Sequence, residues 1–498
     1  MTEILVKAGR REKSALYGNI GAEAPPPQLS RHAIEQSALH LVLSPFVHFW
    51  KKRERAFAFH SLLLKRIYGD PALYVLLQFL SREPTTRSLE HLEPHARNAL
   101  ARYIPALVES SFLVTASPDP LRILDAYRSH PSVSRPDFQV MYLLLTHLCN
   151  LKCHYCFFVP TPSRAYAHPS MDRDTARLSV ELFDRVLGRS PVSPVVILYG
   201  GEPLLNWDTL AYAVKLIRSM ERRGAFGGRE VTIELFTNAT LVTNAMAGFF
   251  KKHGVLPLVS LDGFKHHHDK MRLESSGKGS YERALRGFSM MRRQGIEPAV
   301  GCTLGPHNID DLEEIACFFK ETLGVGDIRI FAVRGLPGDN PYELPPPVMT
   351  GRLISLWKSP WGPHLEEILP SGILSSLAGE RCTFHSCDTA VQLSVMPDGS
   401  AGPCINLAEE FQCLWGNVRD AGIAEAMLKG GMSTRWRKRS PLNDDKCLPC
   451  IGLALCGGGC AHDAWSKTGS PDEKDERQCR TIPPLVRWAV EVSGGSGE

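Results

Sequence analysis

The chain has 498 residues, 43% of them hydrophobic and 22% charged, with a formal net charge of +4. That length holds roughly two to four domains with full cores, and so small a charge argues against a nucleic-acid binder, whose basic footprint is larger and clustered. No stretch reaches the roughly 18 uninterrupted apolar residues of a membrane helix, and the N-terminus has no apolar run of signal-peptide length. A cytoplasmic protein is expected, in which the 14 cysteines stay reduced and read as metal ligands rather than disulfides.

Residues 1–37, including GAEAPPPQ, read as a flexible lead-in. From Leu41 to Val114, LVLSPFVHFW and AFAFHSLLL flank the charged KKRER, which suits a β-hairpin. Helical periodicity follows in DPALYVLLQFL, TTRSLEHLE and ARNALARYIPALVESSFLV. In pattern, though not in motif, a hairpin followed by three short helices resembles the winged-helix RiPP recognition elements that hold leader peptides. The resemblance implies a small α+β, leader-binding module over 38–117; a structural helical cap is the alternative. Residues 118–137, rich in proline, read as a linker.

A regular alternation then begins. FQVMYLLL, PVVILYG, VTIELF, LPLVSL, PAVGCTL and IRIFAV read as strands, separated by five helix-like segments. The expected fold class is α/β: a parallel array over 138–335, curled by right-handed crossovers into a partial (β/α)6 TIM-like barrel. Residues 336–380 read as a bridging region, 381–482 as a short-stranded, cysteine-dense domain, and 483–498 as a tail.

The first strand leads into CNLKCHYCF, at the edge where such barrels carry their chemistry. Cys149, Cys153 and Cys156 can hold a [4Fe–4S] cluster while leaving one iron open to a ligand; a zinc knuckle is the alternative. The spacing, with Tyr155 before the last cysteine, resembles the signature of radical S-adenosylmethionine (SAM) enzymes. The second strand ends in YGGEP, and Gly200, Gly201, Glu202 and Pro203 resemble the GGEP element of that family, with Glu202 implied at the amino group of SAM. The resemblance likewise implies Asn238 and Ser260 near the ribose and carboxylate of SAM and Asp262 near the substrate. Arg272 is a plausible carboxylate partner because guanidinium pairs bidentately with that group; capping or loop roles remain open for these four. His266, His267 and His268 read as a solvated loop, because adjacent side chains rarely converge on one ion without further ligands.

The C-terminal segments CDTAVQLSVMPDGSAGPC and CLPCIGLALCGGGC resemble the seven-cysteine SPASM domain. Its wiring implies one auxiliary [4Fe–4S] cluster on Cys382, Cys387, Cys404 and Cys460, and another on Cys447, Cys450, Cys456 and Cys479. Zinc ribbons are the alternative. Cys302 and Cys317 read as core residues and Cys413 as a buried thiol.

Together these resemblances imply a peptide maturase with three [4Fe–4S] clusters, one binding SAM and two auxiliary. An electron from a flavodoxin- or ferredoxin-like donor would release a 5′-deoxyadenosyl radical, and a peptide or protein substrate would gain a thioether or carbon–carbon crosslink. Two other readings stand beside it, an anaerobic sulfatase (formylglycine) maturase and a non-catalytic metal-binding peptide-recognition protein. Sulfatase maturases carry an aspartate directly after the cysteine of the G-x4-C element; here Ile405 and Asn406 follow Cys404.

Overall fold

The structure is a computed structural model that describes residues 41–82, 85–115, 120–129, 136–156, 168–189, 191–333, 340–362, 369–379, 381–384, 392–408 and 413–495. Cys387 and the 1–37 lead-in lie outside the described residues.

The N-terminal unit opens with β1 (Leu41–Leu43), followed by β2 (Val47–Lys52) and β3 (Arg55–His60). The expected hairpin is β2–β3, with Lys52 opposite Arg55 and Arg53 in the left-handed region at the turn. A third strand, β4 (Arg66–Gly69), completes an antiparallel sheet of order β2-β3-β4. The helix Pro71–Arg82 buries Leu73, Leu76, Leu77 and Leu80 at helical spacing against this unit. The run ARNALARYIPALVESSFLV, expected as one of three short helices, divides between Pro94–Ala101 and Ile104–Glu109, because Pro105 cannot continue a preceding helix. β5 (Leu113–Thr115) returns to pair with β1.

The barrel follows as β6 (Val140–Thr146), β7 (Val195–Gly200), β8 (Thr232–Thr237), β9 (Val255–Ser260), β10 (Ala299–Leu304) and β11 (Ile328–Ala332), all parallel to their neighbours. The five expected crossover helices are present. A sixth, Lys265–Met271, stands where a solvated loop was expected: His267 and His268 are buried there, and only His266 is exposed. The barrel interior is layered by period-two alternation. Glu234 on β8 pairs bidentately with Arg329 on β11 at 2.9 Å, and two residues on, Phe236 meets Phe331 across the interior.

The C-terminal region enters the same sheet. β12 (Gln392–Val395) runs parallel to β6, with Gln392 opposite Val140, and β13 (Ser400–Gly402) and β14 (Gly416–Asn417) extend the edge to nine strands. The turn between β12 and β13 needs Gly399, whose φ is +87°. The expected tail from 483 is instead most of the helix Glu476–Ser493. Pro483 and Pro484 lie inside it, but Ile482, Leu485, Val486, Ala489 and Val490 bury a continuous face, which outweighs the roughly 3 kcal/mol a helical proline costs. This helix and the cysteine loops share one core with Phe46, Trp50, Phe57, Phe59 and Leu62 of the N-terminal unit.

Candidate functional site

The C-terminal ends of the barrel strands surround an open cavity of about 270 Å³. Cys149, Cys153 and Cys156 all face it, together with Gly200, Gly201, Asn238, Ser260 and Arg272. The cysteine loop is held from three sides. Lys152 and His154 donate backbone hydrogen bonds to the carbonyls of Leu273 and Met271, at 2.6 and 3.0 Å. The Tyr155 phenol donates to Asp262 Oδ2. From the β7 side, Glu202 N donates to Leu148 O at 2.9 Å, and the approach is so close that a Cβ at Gly201 would lie 2.4 Å from that carbonyl. Only glycine fits there.

Glu202 and Pro203 do not line the cavity. Glu202 is fully buried and turned into the protein. Its Oε1 accepts from Leu204 N at 3.1 Å and Thr237 Oγ1 at 2.8 Å, and its Oε2 accepts from Asn238 N at 2.8 Å. Burial pushes its carboxyl up to about 7, against the pull of these hydrogen bonds. Glu202 therefore ties the end of β7 to the end of β8, and Pro203 opens the short 3₁₀ turn beside it. Asn238 accepts from Thr240 and donates to Asn150 on the cysteine loop at 3.0 Å.

Arg272 reaches the cavity, but its guanidinium is engaged: Nε donates to Asp262 Oδ2 at 2.9 Å and a terminal nitrogen to Oδ1 at 3.1 Å. Asp262 also accepts from Thr303 N, and Asn308 donates to its carbonyl. Burial alone would raise the Asp262 carboxyl, yet the charge and hydrogen bond of Arg272, with His268 and the Tyr155 phenol, hold it below the ordinary range. Asp262 is thus an anchor for Arg272 and Tyr155 rather than a group open to the cavity.

Burial raises the thiols of both cysteine groups. Burial among the cavity walls pushes Cys149 up to about 11, and burial likewise raises Cys153. The same holds at Cys447 (about 11), Cys456 (about 12) and Cys479, each also feeling Cys450. Three cysteines on one loop, and a second group of Cys447, Cys450, Cys456 and Cys479, present the all-sulfur donor chemistry of an iron–sulfur cluster. Cys404 and Cys460 line the same cavity. Cys382 is buried, and its thiol donates to Leu62 O at 3.6 Å. Cys302 is buried in β10, Cys317 is half-buried, and Cys413 packs with Cys404, Leu407 and Trp436.

The rest of the cavity wall was not singled out from sequence. Tyr142, Tyr199, Phe236 and Phe331 form a run of ring contacts with centroids 5.6–6.4 Å apart. Ile405 and Asn406 complete it, and the buried Asn406 Oδ1 has no partner among the described residues. No carboxylate lines the cavity among the described residues.

The sequence model of the Radical SAM superfamily matches residues 143–319. A cysteine-type anaerobic sulfatase-maturating enzyme of Clostridium novyi is 24% identical over 63% of this chain and 84% of its own length. The radical SAM cyclopropyl synthase TigE of Paramaledivibacter caminithermalis is 20% identical over 91% of this chain and 96% of its own. Among solved structures, native anSMEcpe with bound AdoMet and Kp18Cys peptide superposes with a TM-score of 0.60 at 20% identity, over 73% of this chain and 99% of that one. That likeness is one of fold.

Proposed function

Because the chain belongs to the radical SAM superfamily and is an enzyme, we propose that it uses SAM, bound with a [4Fe–4S] cluster at Cys149, Cys153 and Cys156, to supply a 5′-deoxyadenosyl radical that takes hydrogen from a peptide or protein side chain. The substrate is a ribosomal peptide, and the product carries a thioether or carbon–carbon crosslink.

The cavity wall carries this reading. Sulfatase maturases place an aspartate where this chain has Ile405, which is buried beside Met396 and Leu144. A wall of Tyr142, Tyr199, Phe236 and Phe331 receives an apolar side chain, and Asn406 Oδ1 offers an acceptor for a peptide N–H. Asp262, Arg272 and Tyr155 fix the cysteine loop, and Gly200 and Gly201 let the β7 backbone approach the ligand. Cys382, Cys387, Cys404 and Cys460 would hold one auxiliary [4Fe–4S] cluster. Cys447, Cys450, Cys456 and Cys479 would hold the second. Their role would be to accept the electron left on product, while a flavodoxin- or ferredoxin-like donor supplies the first. The three-stranded sheet and helices of residues 41–115 would hold a leader peptide. Among the described residues no helix is long and apolar enough to cross a membrane, and a cytoplasmic setting suits reduced thiols.

The second reading, formylglycine formation, is favoured by the similarity to the Clostridium novyi sulfatase maturase. Mass spectrometry of the peptide made beside this enzyme separates the two. A crosslinked product loses only hydrogen and ignores hydrazide probes; formylglycine carries an aldehyde that reacts with them.

A further inference from the structure

We propose that His266, His267 and Asp311 form a binding site for one divalent transition-metal ion of the zinc class.

Adjacent histidines need a further ligand to hold an ion, and the fold supplies one from a different segment. His266 and His267 begin the helix Lys265–Met271, and Asp311 stands 44 positions on, directly before the helix Leu312–Cys317. One ligand atom of each lies within 4.8 Å of the others. His267 Nε2 is 2.8 Å from Asp311 Oδ2, and the two imidazole centroids are 3.9 Å apart. Tetrahedral zinc, with ligands about 2.0–2.1 Å away, needs donors about 3.3 Å apart, so small side-chain rotations suffice.

His267 is buried, and its imidazole stands against the Asp311 carboxylate. Its partner Asp311 and His266 are exposed, which leaves an entry path and a place for water as fourth ligand. The ring of Phe264 lies parallel to His266, at 7°, and limits its orientation. Two imidazoles and one carboxylate select zinc-class ions over magnesium or calcium, which prefer all-oxygen sites.

The site joins two segments that both serve Asp262. The helix Lys265–Met271 leads directly into Arg272, and the loop before Asp311 carries Asn308, whose side chain donates to Asp262 O and Thr303 O at 3.0 Å. An ion here staples helix to loop behind the residues that anchor Tyr155.

The test uses the fully cluster-loaded enzyme, so that cysteines are occupied. Zinc alone is titrated in, free metal is removed by gel filtration, and zinc and iron are counted. The expected result is one retained zinc at unchanged iron. Zinc K-edge absorption should show nitrogen and oxygen at about 2.0 Å and no sulfur at about 2.3 Å. H266A and D311N should each weaken zinc affinity at least ten-fold without altering the iron count. Sulfur in the zinc shell, unchanged affinity in both variants, or no retained zinc in the wild-type enzyme overturns the proposal.

Discussion

The phenol of Tyr155 and the carboxylate of Asp262 join the cysteine loop to the end of the fourth barrel strand, from opposite sides of 107 residues of chain. Tyr155 sits between Cys153 and Cys156, so its ring fixes where two of the three thiols point. Arg272 lies over that ring, 5.4 Å from its centroid, while pairing with the same carboxylate. Y155F keeps the ring and deletes the donor, leaving Asp262 with Arg272 and Thr303. The expected cost is roughly 1–3 kcal/mol, seen as a lower melting temperature of the anaerobic enzyme and faster loss of iron to a chelator. Iron loss at the wild-type rate would show the bond does not hold the loop.

Glu202 accepts three donors while facing away from the cavity. In E202Q one acceptor oxygen becomes a donor, and either Asn238 N or the Thr237 and Leu204 donors lose a partner. A loss of roughly 1–3 kcal/mol is expected, measured by anaerobic denaturant unfolding.

Acid should destabilise the N-terminal unit, as it should the barrel, where burial lowers His268 and His307 to about 4. Burial lowers His60 to about 3 and His48 to about 4 from 6.5, so the unfolded chain binds more protons than the folded one between those values. Stability from these residues is complete above pH 6.5 and is lost as pH falls toward 3–4, by at most about 1.4 kcal/mol per pH unit per histidine. H60Q, which can still bond Ser44, should flatten that slope in a melting series from pH 7 to 5. Glu202 runs the other way: its carboxyl, raised to about 7, binds a proton in the folded chain between pH 4.5 and 7, so its contribution declines as pH rises through that window.

Trp50 closes the joint between the N-terminal unit and the C-terminal helix. Its indole donates to Glu491 Oε1 at 3.0 Å, stacks on Phe57 and lies under Arg487. W50A should cost roughly 3–5 kcal/mol and expose the 41–115 unit to limited proteolysis, with the iron content of the remainder unchanged.

C479S removes one thiol from the group of Cys447, Cys450, Cys456 and Cys479. About four irons should be lost relative to wild type, by colorimetric iron assay after anaerobic reconstitution.

The six barrel strands were readable because each is a short apolar run closed by turn residues, and both cysteine groups because ligand spacing is local. What escaped was non-local or masked by chemistry. HHHDKM has no apolar period, so the helix Lys265–Met271 read as a loop. Pro483 and Pro484 read as a stop, although the apolar face beyond them carries the helix on. The pairing of β12 with β6 joins QLSV to a strand some 250 residues earlier, which four residues cannot announce. The family motif pointed at Glu202 as a ligand contact, whereas Thr237 and the amides of Leu204 and Asn238 occupy its carboxylate.

The most direct measurement is the release of 5′-deoxyadenosine and methionine by the reduced, reconstituted enzyme given SAM. Stoichiometric or greater release is expected from the wild type, with none from a variant in which Cys149, Cys153 and Cys156 are all alanine. Equal output from the two proteins, or none from a wild type that carries its full iron, would contradict the assignment of those three thiols.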